Sequence, residues 1–129
     1  MKKLESEIII KKAYILVNPP DVVTYWDIVT TLGRLFSMPE FQKKNLIWQF
    51  TENMINFSFS DLNRIKEFSA THHPPNSDGY KTAIVANTGM QRAAAEMYAA
   101  FGKELPRIIK VFPDLKSAEE WLSDTTPKP

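Results

Sequence analysis

The 129-residue sequence contains no cysteine, which removes disulfides, thiolate metal ligands and a cysteine nucleophile together. Its two histidines, His72 and His73, are adjacent, and no cysteine or third histidine exists to complete a zinc site. With only four glycines, the chain has neither a GxGxxG nor a Walker A pattern, so no glycine-rich loop is available to cradle phosphates. Charge of one sign is also missing: 16 Lys and Arg face 15 Asp and Glu, a net +1, which gives no basic field for nucleic acid or anionic lipid. Long hydrophobic runs are absent. Lys2 and Lys3 resemble the start of a signal peptide, but Ile8-Ile9-Ile10 is followed at once by Lys11 and Lys12. A secretory core needs roughly 7–15 apolar residues and a membrane span about 20. These absences predict a soluble, cytoplasmic protein with no transmembrane segment and no nucleic-acid partner.

What is present is an ordinary core-forming composition, 43% hydrophobic and 24% charged, in a length that suits one domain. The domain is expected over residues 1–122. The polar stretch from Ser123 to Pro129 reads as a flexible tail.

Two short β-branched runs, Ser6 to Ile10 and Ala13 to Val17, predict a strand pair, with one long bent strand as the alternative. Asn18-Pro19-Pro20-Asp21 stops any strand there, since proline cannot donate to a ladder. Tyr25, Ile28, Val29, Leu32, Leu35 and Phe36 recur at helical spacing, and Thr24 with Asp27 resembles a capping box, so Thr24 to Phe36 reads as a helix. Asn45 to Thr51 reads as a buried strand and Ser60 to Ser69 as a helix with Leu62, Ile65 and Phe68 inward. Thr71 to Gly79 is the clearest loop. Thr82 to Asn87 suits a strand covered on both faces. Gly89 to Phe101 is an Ala-rich helix with Met90, Ala93, Ala94, Met97, Tyr98 and Phe101 as its expected inner face, ended by Gly102. Arg107 to Phe112 is the last strand, and Asp114 caps a final helix through Leu122. The order ββαβαβαβα predicts a single α/β domain, a mixed sheet of about five strands with about four helices.

In such sheets ligands bind beyond the carboxyl ends of the strands. Two junctions lie there. The first, Thr51 to Asp61, carries Ser58 and Ser60, both placed to cap the following helix, with Asp61 at the third position after Ser58. Ser60 is a candidate phosphoacceptor, although the neighbouring Asp61 repels an added phosphate. Phe57 and Phe59 alternate with the serines and read as a buried aromatic pair, with an apolar contact surface as the alternative. The second junction, Asn87-Thr88-Gly89, offers Thr88 and Gly89 at a helix start, most simply a plain turn. His72 and His73 read as solvated loop residues, and Glu119-Glu120 as a solvated face. Trp26 falls off the apolar stripe of the first helix and marks a candidate interface. No catalytic set, metal site or cofactor motif can be assembled, so no enzyme activity is expected.

The ending Arg107-Ile108-Ile109-Lys110-Val111-Phe112-Pro113-Asp114-Leu115, closed by Ala118 and Trp121-Leu122, resembles that of the SpoIIAA-like, or STAS/SEC14-type, small bacterial proteins. The strand Thr82 to Ala86 and the helix carrying Met97-Tyr98 fit at the expected distances, so the resemblance runs from about Glu7 to Leu122. It implies a STAS-like fold and a non-enzymatic regulatory or protein-interaction module like the anti-sigma-factor antagonists. Those are switched by phosphorylation of a serine at the start of the second helix, which places Ser60 at the acceptor position within Ser58-Phe59-Ser60-Asp61-Leu62. The motif's Asp is Ser58 here and its Gly is Asp61. The SEC14 side of the resemblance implies the alternative, a protein that binds a small apolar molecule or lipid. Phe57, Ser58, Phe59, Asp61, Thr88 and Gly89 are the candidate partner or ligand contacts, and near-zero net charge is compatible with a homodimer.

Overall fold

The structure is a computed structural model that describes residues 3–75 and 79–124. Residues 125–129 of the expected tail and Asn76 to Asp78 of the expected loop lie outside the described residues. The two N-terminal runs form separate strands, β1 (Glu7–Ile10) and β2 (Tyr14–Asn18), paired antiparallel with Ile8 opposite Val17. One bent strand is thereby excluded. Next comes β3 (Val22–Thr24), which leads directly into α1 (Tyr25–Phe36). A 3-10 turn over Pro39–Lys43 precedes β4 (Asn45–Gln49), followed by β5 (Met54–Asn56) and α2 (Phe59–His72). The chain closes with β6 (Lys81–Val85), α3 (Gly89–Phe101), β7 (Ile108–Phe112) and α4 (Leu115–Ser123).

The main sheet has the order β1-β2-β4-β6-β7, antiparallel at β1 and parallel elsewhere. This is the mixed five-stranded sheet with four helices that the element order predicts. Side chains on its central strands alternate between two layers, as the period of two requires. Ile15, Val17, Leu46, Trp48 and Ile84 pack with α1, α2 and α3 on one face, while Tyr14, Leu16, Ile47, Ala83 and Val85 meet Ala118 of α4 on the other. The two-sided burial expected for Thr82 to Ala86 is present.

Several local expectations change. The strands β3 and β5 were not foreseen, and they form their own two-stranded parallel sheet with Val23 opposite Ile55. Three-residue strands carry no readable periodicity; their pairing is a tertiary fact. In α3 the expected inner face holds at Ala94, Met97, Tyr98 and Phe101, which are buried or packed on the core, while Met90 and Ala93 are exposed and Gln91 and Ala95 are buried instead. Small residues at 93, 94 and 95 do not set a helix phase, and the hydrogen bonds of Gln91 do. Gly102 ends α3 with φ −82°, outside the left-handed region. An added Cβ would sit 2.7 Å from Ile109 Cδ1, so a side chain there would push the tip of Ile109 aside. Finally, α2 runs to His72, so Thr71 and His72 belong to a helix.

Asn53 joins the small sheet to the large one. Its Oδ1 accepts from Thr51 N at 2.8 Å, and its Nδ2 donates to Pro19 O at 3.0 Å and Pro20 O at 2.7 Å. The adjacent Met54 N donates to Asp21 O at 2.7 Å. The prolines that stop β2 thus have their carbonyls satisfied by the loop leaving β4. Replacing Asn53 with Ala strands those groups and is expected to destabilise the domain by about 2 kcal/mol, seen as a lower urea midpoint at unchanged slope.

Candidate functional site

The two junctions singled out at the carboxyl ends of the strands lie side by side. Phe50 N donates to Val85 O at 2.9 Å, which continues the β4–β6 ladder past its last pair. Gln91, in the first turn of α3, donates from Nε2 to Thr51 O at 3.0 Å and to Asn53 O at 2.6 Å. The start of α3 is therefore tied to the loop between β4 and β5. Thr88 and Gly89 are both exposed, and the Thr88 side chain makes no cap hydrogen bond. Arg92 pairs with Glu96 at 3.2 Å.

At the first junction Ser58 is the N-cap of α2, in a capping box with Asp61. Ser58 N donates to Asp61 Oδ2 at 2.9 Å, and Asp61 N donates to Ser58 Oγ at 3.3 Å. The Ser58 backbone N–H holds the Asp61 carboxyl below the usual carboxylate range, helped by the Ser58 hydroxyl and by Arg64. Arg64 also stacks over the Tyr25 ring, 4.2 Å from its centroid. Ser60 is exposed in the first helical turn, its Oγ 2.8 Å from Ser58 Oγ. The nearby cation, Arg64, is thus already paired with a carboxylate.

The aromatic pair divides. Phe57 is half-buried against the core, whereas Phe59 is 51% exposed, so Phe59 does not belong to a buried pair. Phe59 has company: Trp26 in α1, Met54 in β5 and Met90 in α3 are 70%, 64% and 63% exposed. Thr24 sits opposite Asn56 in the small sheet, which brings the starts of α1 and α2 together, and Gln91 brings the start of α3 to the loop before Met54.

Beneath this end, between the sheet and α1–α3, lies a cavity of about 90 Å³ with almost wholly apolar walls, among them Leu46, Trp48, Ile65, Ile84 and Ala94. Phe50, Ile55 and Phe57, all half-buried, form its wall at the first junction. Ser69 hydrogen-bonds the Tyr98 phenol, which burial pushes up to about 12. Two other polar side chains in the wall are less complete. Gln91 and Arg107 are 5% and 4% exposed, and Gln91 Oε1 and Arg107 Nε have no hydrogen-bond partner among the described residues. The two carbonyls that accept from Gln91 Nε2 fix the amide's orientation, so Oε1 is the atom left over.

Arg107 was expected to begin the last strand. Instead it precedes β7 as a buried cation. It donates from Nη1 to Lys44 O at 2.8 Å and from Nη2 to Phe41 O, and its guanidinium lies over the rings of Phe41 and Tyr80. Burial lowers its pKa to about 10, against the opposing influence of Tyr80. His73 is likewise not a solvated loop residue: it is half-buried in the cavity wall, its ring 5.0 Å from Phe36 and 5.3 Å from Phe41. His72 stacks on Phe68 within α2. Nor is Glu119 simply solvated, since it accepts from Tyr14 Oη at 2.5 Å. Among the described residues no group of three or more His, Asp or Glu could hold a metal ion, and no helix is long and apolar enough to cross a membrane.

No family model and no curated protein matches the chain. Among solved structures it is similar to an uncharacterised DUF3478-family protein with a SpoIIAA-like fold from Shewanella loihica PV-4, with a TM-score of 0.54 and 16% identity over 95% of each chain. The chain has a SpoIIAA-like α/β fold.

The capping box predicts an ordered pair of effects. Ser58→Ala should cost about 1 kcal/mol and Ser60→Ala under about 0.5 kcal/mol, read as urea midpoints at neutral pH. Because folding lowers the Asp61 pKa, its contribution is complete above the unfolded carboxylate value of about 3.9 and fades as pH falls through the folded value. The stability gap between the wild type and Asp61→Asn should therefore close in acid.

Proposed function

We propose that this protein is a non-enzymatic binding module whose ligand is a small, largely apolar molecule held between the sheet and α1–α3. The carrying observation is the apolar cavity of about 90 Å³ with Gln91 Oε1 and Arg107 Nε left without partners in its wall. Interiors are packed to crystal-like density, and buried polar atoms are almost always satisfied. A cavity with almost wholly apolar walls in an otherwise close-packed interior is the kind of space that a small apolar molecule occupies. At about one water-sized sphere per heavy atom, the space suits a molecule of roughly six to eight heavy atoms. The SEC14 side of the family resemblance agrees with this reading.

Catalysis is not proposed for this site. A reaction needs a nucleophile or an acid–base pair within hydrogen-bond reach of the reacting atoms. Of the polar side chains in the wall, Arg107 and Gln91 are each held by two carbonyls, Ser69 is hydrogen-bonded to the Tyr98 phenol, and the His73 ring lies against Phe36 and Phe41.

The test uses 1-hexanol as a neutral probe of the right size. Its buried methylenes, at about 0.8 kcal/mol each, give a dissociation constant on the order of millimolar. Methyl resonances of Leu46, Ile65 and Ile84 should shift saturably, and Ala94→Leu, which fills the space, should abolish the shifts. Shifts confined to surface residues would sink the proposal.

Exposed apolar residues at the carboxyl end favour a second role, protein interaction. Trp26, Met54, Phe59 and Met90 sit at three adjoining helix starts and the small sheet. A net charge of +1 raises little repulsion against a second copy. Sedimentation velocity should then show a concentration-dependent dimer that Trp26→Ser with Phe59→Ser dissociates. A monomer throughout the concentration series would remove this role.

A further inference from the structure

The main sheet has β1 at one edge and β7 at the other. An edge strand offers unpaired N–H and C=O groups to a further strand, and proteins commonly blunt it with lysine or a covering element. At the hairpin Lys11 N donates to Tyr14 O at 2.9 Å, which makes these two residues a bonded pair. Bonded and non-bonded pairs alternate in an antiparallel ladder, so Ile9–Leu16 and Glu7–Asn18 are bonded pairs too. The N–H and C=O of Ile8 and Ile10 therefore point away from β2. Ser6 shares that direction, and its carbonyl accepts from Arg34 Nη1 at 3.1 Å. Among the described residues no strand lies beyond Ile8 and Ile10, and Ile10 is 46% exposed.

A second copy, related by a twofold axis normal to the sheet, would add its own β1 antiparallel to this one. Such an axis keeps each face of the sheet on its own side, so facing residues are both odd-numbered or both even. With Ile8 opposite Ile10 of the second copy, every outward group of these two residues finds a partner. Ile9 then meets Ile9 across the axis, and Glu7 meets Lys11 of the second copy on either side of it. These are non-bonded pairs, in which facing side chains come closest. Glu7 Oε1 accepts from Asn18 Nδ2 at 3.1 Å, which holds the carboxylate at this edge, and Lys11 lies over the Tyr14 ring. Neither belongs to an ion pair among the described residues, where the ion pairs are Arg64–Asp61, Lys66–Glu104 and Arg92–Glu96. Symmetric registers centred on Ile8 or Ile10 set Glu7 against Ile9 or Ala13 and lose the match. The edge at β7 has none. Ile108 N donates to Tyr80 O and Phe112 O accepts from Ala86 N, so the outward groups are those of Ile109 and Val111, and the same symmetry sets Lys110 against Lys110.

We propose that β1 is a self-association edge, at which two copies pair antiparallel through Ile8 and Ile10 with Glu7 facing Lys11 on both sides of a twofold axis at Ile9. The pairing joins two five-stranded sheets into one. It depends neither on the cavity nor on the exposed residues at the carboxyl end. With a few residues on each side it is smaller than a standard interface. The contact is therefore weak and concentration-dependent, and crosslinking reads it better than mass in dilute solution does.

A chain without cysteine makes that test clean. Facing residues of a non-bonded pair lie within disulfide reach, whereas Ile8 and Ile10 are each diagonal to their own counterparts. On the full chain, Ile9→Cys should oxidise to a covalent dimer at least about tenfold faster than Ile8→Cys or Ile10→Cys. The rate should persist when Trp26→Ser and Phe59→Ser are added. Glu7→Lys in the Ile9→Cys chain should slow the reaction, and Lys11→Glu added to both should restore it. Equal rates at the three positions, or a faster one at Ile8 or Ile10, would overturn the proposal. So would a charge swap that restores nothing, or crosslinking lost with Trp26→Ser and Phe59→Ser. Should Ile9→Cys fail to fold, the wild-type amides decide. On concentrating the protein, the Ile8 and Ile10 amide resonances should shift more than that of Ile9, and unmoved Ile8 and Ile10 signals would equally overturn the pairing.

Discussion

Everything in this molecule depends on the register of β2, β4 and β6. Both faces of these parallel strands are buried, so each residue must choose between the three-helix layer and α4, and a slip by one position would send every side chain to the wrong layer. Leu46 and Trp48 face α1–α3, and Ile47 faces Ala118. The same register places Gln49 opposite Val85, which brings the loops leaving β4 and β6 together and lets Gln91 reach Thr51. The arrangement of the site at the carboxyl end is thus a by-product of core packing.

That dependence explains what the sequence could and could not disclose. The β1–β2 pair, the buried run from Asn45, the strand at Thr82 and the phase of α1 were legible because dense apolar patterns decide them locally. So were the caps at Thr24 and Ser58, where donor and acceptor are three residues apart. The small β3–β5 sheet was not, because three residues cannot show a period. The face of α3 was legible from Ala94 to Phe101 but not in its first turn, because alanines fit either side of a helix and a glutamine gives no local sign that carbonyls at Thr51 and Asn53 will take it inward. Arg107 is the extreme case. Its partners lie 63 and 66 residues away, so it resembles any charged residue at the edge of a strand.

Two kinds of polar chemistry stand in contrast. In the Ser58–Asp61 turn the capping box is complete, Arg64 is paired and water is at hand, which makes the segment a sound helix start. At the cavity the walls are almost wholly apolar, and Gln91 Oε1 and Arg107 Nε have no hydrogen-bond partner among the described residues. The resemblance in the sequence directs attention to the first region, where it implies an acceptor at Ser60. The physical chemistry of unsatisfied groups directs it to the second. The two regions adjoin at Phe57, whose side chain lines the cavity while the next residue caps α2.

The sheet is guarded unequally. Three helices cover one face, but the other relies on α4, nine residues long, with Ala118 in its centre, the Tyr14–Glu119 hydrogen bond, and Lys81 donating to Trp121 O. A helix this short does not hold together in water by itself. Its formation and its docking are therefore one event. Beneath it lie Leu16, Ile47, Ala83 and Val85, an aliphatic surface at the middle of the sheet, so the side of the sheet that faces away from the cavity depends on one short helix for its cover.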